Sequence, residues 1–352
     1  MIKRLFISYY LVLQAFYLCA QKYGNEWINY NQSYFRINIS STGLYRIGYT
    51  TLLNSGIPVK SINPKNFQLY IKGEEQYIYL RGEADDSFDS NDYIEFYAQK
   101  NDGLFDSLAY HQITRHPNPY IPLFNDTNYA YLTWNSSLNN RRMTVETDLN
   151  FIGYTPSNYF YTEKIKAFNT HYSSGPTFMD VISDPRYLQT EGYGELINKG
   201  QFLQTNFGNL NVYQSLSLPV KLRVSYSGAS ATGIGGINYD HQLKIDFLDQ
   251  SGNYKVINDT SFLGFRHFLV EKELVSSQLQ NNSSIRVSSE NNPLITKNNI
   301  TNIHYIYLRY PEIPDLSNTS EHTFYIENHP TQLKTYLEIK NINIGGGAGY
   351  IV

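Results

Sequence analysis

The sequence alternates apolar and polar residues over short runs, and this period of two recurs along most of the chain. Residues 220–225 read Val-Lys-Leu-Arg-Val-Ser and residues 243–247 read Leu-Lys-Ile-Asp-Phe. Successive side chains of a strand point to opposite faces, so such runs bury one face of a sheet and expose the other. The 33 Tyr and 19 Phe residues also favour strands. We therefore predict an all-β fold of two consecutive antiparallel domains, each sandwich-like or barrel-like.

Local signals predict how some of these strands pair. Residues 34–39 and 44–47 flank a polar turn that ends in glycine, and residues 67–71 and 76–80 flank Lys-Gly-Glu-Glu. Both arrangements are typical of β-hairpins. The spacing over 261–279 indicates a helix, the longest that the pattern suggests.

The N-terminus has the pattern of a secretory signal peptide over residues 1–20. Two basic residues precede a mostly apolar stretch over 5–18, and Cys19-Ala20 comes before a polar segment. A membrane anchor is the alternative, but a spanning helix needs about 20 apolar residues. Cys19 is the single cysteine of the chain. Removal of residues 1–20 would therefore leave a protein without disulfides and without a thiol nucleophile.

Charge and motifs exclude several classes of function. The formal net charge is −3, and it is −5 without residues 1–20, because 26 basic residues then face 31 acidic ones. The basic residues form no patch, so we expect no nucleic-acid partner. The sequence contains no GxSxG, HExxH or Walker motif. Asp240-His241 precedes a strand, and the histidine is interpreted as a surface or packing residue rather than a general base.

One loop is dense in oxygen ligands. It carries Asp85, Asp86, Asp89, Asn91 and Asp92 just before the strand Tyr-Ile-Glu-Phe-Tyr. Carboxylate and amide oxygens at alternating loop positions suit calcium, although the glycine and terminal glutamate of an EF-hand loop are absent. The alternative is a solvated acidic turn whose side chains cap its own backbone. These five residues are the predicted metal ligands, and calcium is the cofactor to which they point.

A change in composition predicts the domain boundary. Asparagine, arginine and aspartate interrupt the strand signals between residues 138 and 158. We therefore predict a signal peptide at 1–20, a first β-domain at 21–150, a second β-sandwich domain at 151–345, and a short link to a further domain at 346–352.

Several segments resemble one known family. They are Gly43-Leu-Tyr-Arg-Ile47, Ile62-Asn-Pro64, Phe67-Gln-Leu-Tyr70, Gly73-Glu-Glu-Gln76, Gly82-Glu83, Asp92-Tyr-Ile-Glu-Phe-Tyr97, Leu123-Phe-Asn-Asp-Thr127 and Tyr131-Leu-Thr-Trp134. Together they resemble the N-terminal region of the PorU-like sortases of type IX secretion systems, which belong to the gingipain-type cysteine peptidase family. The resemblance is specific over residues 43–134 and looser after residue 150. This chain has Asp85-Asp86 where the family usually has Asp-Gly.

The resemblance implies a non-catalytic role. A peptidase domain with a Cys and His pair normally follows these β-domains, and 21–150 would be gingipain-propeptide-like. Catalytic residues would belong to that further domain, so none is assigned here. The implied function is to help the secretion and surface attachment of cargo proteins. The implied partners are the secretion machinery or a following peptidase domain, with export to the cell surface, the outer membrane or the medium and outer-membrane association through those partners.

A different class of function is left open by the residues alone. Exposed tyrosine beside asparagine and aspartate is typical of sugar-binding sandwiches. The alternative is therefore a stand-alone secreted surface module that binds a glycan or a protein.

Overall fold

The computed structural model describes residues 24–110, 116–144, 150–176, 187–231, 239–293, 295 and 299–343. The predicted signal peptide, the predicted link at 346–352 and the glycine-rich runs at 233–236 and 345–349 lie outside these residues. Contacts divide the chain into two compact units. Within the described residues, the first unit contains 24–100 and 127–144, and the second contains the remainder.

The described part of the first unit is a pair of antiparallel sheets. Its strands are β1 (Phe35–Ile39), β2 (Gly43–Gly48), β3 (Phe67–Ile71), β4 (Glu74–Glu75), β5 (Tyr79–Arg81), β6 (Tyr93–Ala98) and β7 (Asn128–Trp134). Sheet order is β1-β7-β3-β4 in one sheet and β2-β6-β5 in the other. Helix α1 (Tyr49–Asn54) follows β2, and 3-10 turns cover Val59–Ser61, Pro64–Asn66 and Glu83–Asp85. The fully buried Phe67 and Leu132 of one sheet share a core with Ile94 and Phe96 of the other.

The described part of the second unit also contains two antiparallel sheets. Its strands are β8 (Phe160–Ala167), β9 (His171–Ser174), β10 (Glu191–Asn198), β11 (Phe202–Asn206), β12 (Pro219–Gly228), β13 (His241–Leu248), β14 (Tyr254–Phe262), β15 (His267–Val275), β16 (Ser284–Ser289) and β17 (Ile300–Glu312). One sheet has the order β15-β12-β17-β10-β9 with β8 also on β17, and the other has β11-β16-β13-β14. Two 3-10 segments cover Leu104–Ala109 and Ser276–Gln278. Val224 and Ile306 from the first sheet pack with Leu243 and Val287 from the second.

These observations confirm the all-β prediction, and the alternating runs form strands where the pattern placed them. Val220, Leu222 and Val224 are at most 1% exposed, whereas Lys221 lies on the solvated face. No helix among the described residues is long and apolar enough to span a bilayer.

Some predicted pairings are wrong. β1 pairs with β7 and β2 pairs with β6, so the predicted hairpin of 34–39 and 44–47 does not form. The turn between them connects the two sheets. This connection allows Ile39 of one sheet and Ile47 of the other to pack in the same core. The predicted helix at 261–279 is also wrong, since β14 and β15 occupy most of it and β15 pairs with β12 along its whole length.

The second hairpin prediction is right that the chain turns back after 67–71, but the returning strand is Glu74–Glu75, inside the predicted turn, rather than 76–80. β3 pairs with β4 through Tyr70–Glu75 and Ile71–Glu74. Lys72 and Gly73 make the turn with φ values of 52° and 83°, the left-handed pair that a tight two-residue hairpin loop requires. The chain then leaves this sheet, and β5 pairs with β6 in the other.

The described residues of the segment 101–126, which are 101–110 and 116–126, belong to the second unit although they precede β7 of the first. The sequence-based boundary near residue 150 placed this segment in the first domain. Sequence position alone cannot show that the chain leaves a unit and returns to it. The limits of independently folding domains stay a prediction, which fragment stability can test.

Candidate functional site

The acidic loop is closed by its own hydrogen bonds. Asp85 Oδ1 accepts from the Ser87 amide at 3.2 Å, and Asp89 Oδ1 accepts from the Ser87 hydroxyl at 3.2 Å. Asp92 Oδ2 accepts from the Asp89 amide at 2.7 Å, and the side chain of Asn91 is exposed. The loop starts at Gly82, whose φ of 90° is left-handed.

The Asp86 carboxylate is bonded to the residues of the 3-10 turn Pro64–Asn66 and its cap rather than to the acidic loop. Its Oδ1 accepts from Lys65 Nζ at 2.6 Å and from Asn63 Nδ2 at 3.1 Å. The hydrogen bond from the Lys65 ammonium holds the pKa of the Asp86 carboxyl below its usual range. Asn63 also caps this turn, because its Oδ1 accepts from the Lys65 amide at 2.9 Å.

This geometry fits the self-capped turn better than a ligand cage. Within the described residues, no group of three or more His, Cys, Asp and Glu side chains is arranged to hold a metal ion. Calcium binding by Asp85, Asp86, Asp89, Asn91 and Asp92 stays a prediction. Melting curves with and without millimolar calcium check it, because a ligand that prefers the folded state raises the melting temperature.

The segments that carry the family resemblance contact one another in the first unit. The resembling strand β2 pairs with the resembling strand β6, and Arg46 Nη2 lies 2.6 Å from Glu95 Oε1 across that pair. Asn63 from the Asn-Pro turn donates to the acidic loop. Gly82 lies against Asp92, since a Cβ at this glycine would be 2.1 Å from Asp92 Cγ. These residues build a structural frame of sheet, turn and loop rather than a reaction centre.

The pair Asp240-His241 is buried rather than presented to a substrate. The His241 ring is fully buried and stacks on Phe262 with a centroid distance of 4.6 Å. Its Nε2 donates to the Ser230 carbonyl at 2.9 Å, and its Nδ1 lies 2.8 Å from the Asn299 amide oxygen. The ring therefore ties together loops at the ends of strands.

A second group, the histidine cluster, consists of the buried His116 and His304 and the half-buried His267. His304 Nδ1 donates to the Tyr193 carbonyl at 2.8 Å, so its Nε2 accepts from the Ser227 hydroxyl at 2.9 Å. A β-bulge inserts His304 into β17, because Ser225 pairs with Tyr305 and Tyr226 pairs with Ile303.

The histidine cluster anchors the segment around residues 116–118. The Ser225 hydroxyl donates to the Pro117 carbonyl at 2.7 Å and therefore accepts from His267 Nε2 at 2.9 Å. The Asn118 amide group donates to three carbonyls, which belong to Phe168, Tyr193 and His304 and lie 3.0 to 3.1 Å away. His116 stacks on Tyr110 at 4.5 Å.

Burial keeps two of these histidines neutral. Desolvation, reinforced by the neighbouring His267, lowers the pKa of His116 to about 4 and that of His304 to about 3. The structure thus makes the cluster a set of packing groups that fixes a segment. Sequence inspection missed it because its members lie far apart along the chain and belong to no motif.

Tyrosine on the outer face of the sheet β1-β7-β3-β4 is covered from within the chain. Trp27 stacks on Tyr70 at 5.1 Å and contacts Tyr131 at 5.6 Å and Tyr34 at 5.5 Å. The aromatic residues of this face thus contribute to packing of the N-terminal segment, which weakens the simplest version of the glycan alternative.

Comparisons with known proteins give a likeness of structure only. No family model matches the sequence, and no curated protein matches it. Among solved structures, the chain is similar to dimeric latent PorU from Porphyromonas gingivalis, with 13% identity and a TM-score of 0.48 over 85% of this chain. It spans about a quarter, 26%, of that chain.

Two further solved structures are more distant. The chain is similar to the β-porphyranase BpGH86A of glycoside hydrolase family 86 from Bacteroides plebeius, with 9% identity and a TM-score of 0.23 over 80% of this chain and 34% of that one. It is also similar to the insecticidal delta-endotoxin Cry8Ea1 from Bacillus thuringiensis, with 14% identity and a TM-score of 0.23 over 53% of this chain and 28% of that one. At these values none of the three likenesses assigns a function.

Proposed function

We propose that this chain is a non-catalytic β-rich N-terminal region of a type IX secretion system sortase-like cysteine peptidase. It positions the peptidase domain or its partners, and so helps the secretion and surface attachment of cargo proteins. The observation that carries the proposal is the frame in the first unit. The segments that resemble the family, β2, β6, the Asn63 turn and the Gly82 loop, contact one another.

The chemistry of the chain supports a role without catalysis. Cys19 is the single cysteine, and it lies in the predicted signal peptide. The histidines with the firmest contacts, His241 and His304, are fully buried and bonded to backbone carbonyls. A peptidase that contains this chain would need a thiol nucleophile and a base from another domain.

Cargo processing in cells tests the proposal. The gene that encodes this chain is altered in a bacterium with a type IX secretion system, so that residues 24–343 are deleted from its product. We expect cargo to retain its secretion signals and to be lost from the surface. The matched control replaces the nucleophilic cysteine of the peptidase domain, which should give the same cargo defect with the β-rich region intact.

A second measurement separates positioning from folding. Hydrolysis of a short peptide by the purified deletion product reports whether the peptidase domain remains folded. Retained peptide hydrolysis with failed cargo attachment supports positioning. Normal cargo processing in the deletion strain, or a gene whose product contains no peptidase domain, would contradict the proposal.

Location is part of the same proposal. The signal-peptide pattern supports export, with the protein held at the cell surface or outer membrane through its partners. Proteolysis of intact cells checks this, because an exposed protein is digested while a cytoplasmic marker survives.

A further inference from the structure

An open depression of about 600 Å³ lies at one end of the second unit. It is lined by Val212, Gln214, Gln250, Gln280, Asn281 and Asn282. These residues come from three connections, between β11 and β12, between β13 and β14, and between β15 and β16. The volume lies within the range of about 300 to 1,000 Å³ that small-molecule sites occupy.

Contacts among the three connections hold the amide nitrogens of the glutamine side chains in place. Gln214 Nε2 donates to the Leu279 carbonyl at 3.0 Å, and Gln250 Nε2 donates to Gln214 Oε1 at 2.9 Å. Gln280 Nε2 donates to the Asp249 carbonyl. The orientation of each amide follows from these bonds. Gln250 Oε1 and Gln280 Oε1 are therefore acceptors, and they have no hydrogen-bond partner within the described chain.

The two asparagines add donors to these acceptors. Asn281 Oδ1 accepts from the Val212 amide at 2.9 Å, which leaves the Asn281 Nδ2 group without a partner in the described residues. Asn282 is exposed, and no hydrogen bond of its amide group occurs among those residues. The lining thus offers both acceptors and donors without a partner in the described residues. A hydroxyl group can donate and accept at once, so neighbouring hydroxyls complement such a surface.

The lining carries no charged side chain. The nearest acid of these connections, Asp249, contributes its backbone carbonyl to Gln280, while its carboxylate pairs with Lys255 Nζ at 2.8 Å. A phosphate or carboxylate ligand would find no cation to balance it. Val212, the single apolar residue of the lining, is buried, so side chains of a peptide would find no apolar pocket.

From this arrangement we propose that the depression binds a neutral saccharide through the carboxamides of Gln250, Gln280, Asn281 and Asn282. This activity is additional to the positioning role and does not depend on it. The bonds between the connections hold the site in shape before the ligand arrives, which reduces the ordering cost of binding.

An array of neutral and acidic glycans, probed with the purified exported protein, gives the first test. We expect saturable binding to neutral glycans. The neutral glycan that binds most tightly is then titrated against the parent protein and two variants to compare their dissociation constants. Asn282→Ala should weaken binding about fivefold, the value of one hydrogen bond of ordinary strength. Asn282→Trp should weaken binding more than Asn282→Ala does, because the added ring occupies part of the depression and displaces the hydroxyl groups of the ligand.

Both variants should fold normally, because the Asn282 side chain makes no bond within the described chain, and their melting curves check this. The matched control is Asn54→Ala, which removes an exposed carboxamide at the end of α1 in the other unit and should bind like the parent protein. No saturable binding to neutral glycans, a preference for acidic glycans, or full binding by Asn282→Trp would each overturn the proposal. A silent array leaves the cargo-processing test of the positioning role unaffected.

Discussion

Two residues, Gly82 and Asp92, determine the backbone conformation of the acidic loop. Gly82 adopts φ 90° where the chain enters the loop, and the Asp92 carboxyl group occupies the space that a side chain would need. Asp92 in turn holds the Asp89 amide at 2.7 Å. Any residue with a Cβ would clash with Asp92 at this position. Steric exclusion therefore explains why Gly82 is a glycine.

Replacing Gly82 by alanine should therefore destabilise the first unit by about 2 kcal/mol or more, because a left-handed φ and a clash add together. The matched control is Gly56→Ala, which has φ 82° but no atom within 4 Å of the new Cβ. We expect about 1 kcal/mol there, the cost of the backbone conformation alone. Chemical denaturation of both variants measures the difference, and equal losses would rule out the clash.

Protonation of the buried histidines should destabilise the second unit in acid. The pKa of His116 is about 4 and that of His304 about 3 in the folded protein, against about 6.5 in an unfolded chain. Between these values the unfolded chain binds more protons. The free energy of unfolding is therefore unaffected by these groups above pH 6.5. Below pH 6.5 it decreases by roughly 1.4 kcal/mol per pH unit for each histidine, until the pH reaches the pKa of that histidine in the folded protein.

Denaturation at a series of pH values measures this slope. His116→Phe keeps a ring to stack on Tyr110 and removes one titrating group. The variant should lose less stability between pH 6.5 and 4 than the parent protein. Identical slopes would mean that His116 is not held neutral by burial.

At the scale of elements, strands were predictable and their partners were not. The runs at 220–225 and 243–247 form strands because the alternation that buries one face is contained in each run. Pairing depends on which sheet a strand joins, and nothing in residues 34–47 encodes the passage of the turn from one sheet to the other. β15 was mistaken for a helix because two residues of this edge strand break the period of two: Lys272 lies on the face of the buried Leu274, and the apolar Leu269 is exposed on the other face.

The histidine cluster and the carboxamide depression show the same limit for sites. His116 and His304 are nearly two hundred positions apart, and the depression draws its amides from three connections. Sequence inspection found the acidic loop because its residues are contiguous. Residues that are adjacent in sequence are easy to recognise as a cluster. Their side chains can, however, also hydrogen-bond to one another and to the loop backbone instead of binding a ligand.

The pairing of β2 with β6 offers a test of one cross-strand contact. Glu95 is only 5% exposed and accepts from Arg46 Nε at 2.7 Å, while the Arg46 guanidinium lies over Tyr93 at 4.1 Å. Arg46→Met should cost about 1 to 2 kcal/mol, because it leaves a largely buried carboxylate without its partner. Adding Glu95→Gln to that variant should restore part of the loss.

The matched comparison is the more exposed pair of Arg223 and Glu271, which joins β12 to β15. There Arg223→Met should cost less than about 1 kcal/mol, since exposed ion pairs contribute little. Equal losses at Arg46 and Arg223, measured by urea unfolding, would contradict the argument from burial.

At the scale of the whole molecule, the chain does not divide at one point. Among the described residues it passes between the units after Lys100, after Asp126 and between Thr144 and Asn150, and each unit has its own buried core. The segment 101–126 is bonded into the second unit by the three carbonyls around Asn118 and by the Ser225 contact to Pro117. A cut near residue 150, where composition changes, would separate this segment from the unit that it completes.

A fragment of residues 151–352 should consequently be less stable than the second unit in the intact chain. Removal of residues 101–126 takes the Asn118 donor from the carbonyls of Phe168 and His304 and the Pro117 acceptor from the Ser225 hydroxyl, and each lost hydrogen bond costs about 1 kcal/mol. A synthetic peptide of residues 101–126 should raise the melting temperature of the fragment by binding to its folded state. The same peptide with Asn118→Ala should do so less well, and a scrambled peptide should have no effect. If the fragment alone melts where the second unit of the intact chain melts, then 151–352 folds as a domain by itself and the contacts of 101–126 add no stability to it.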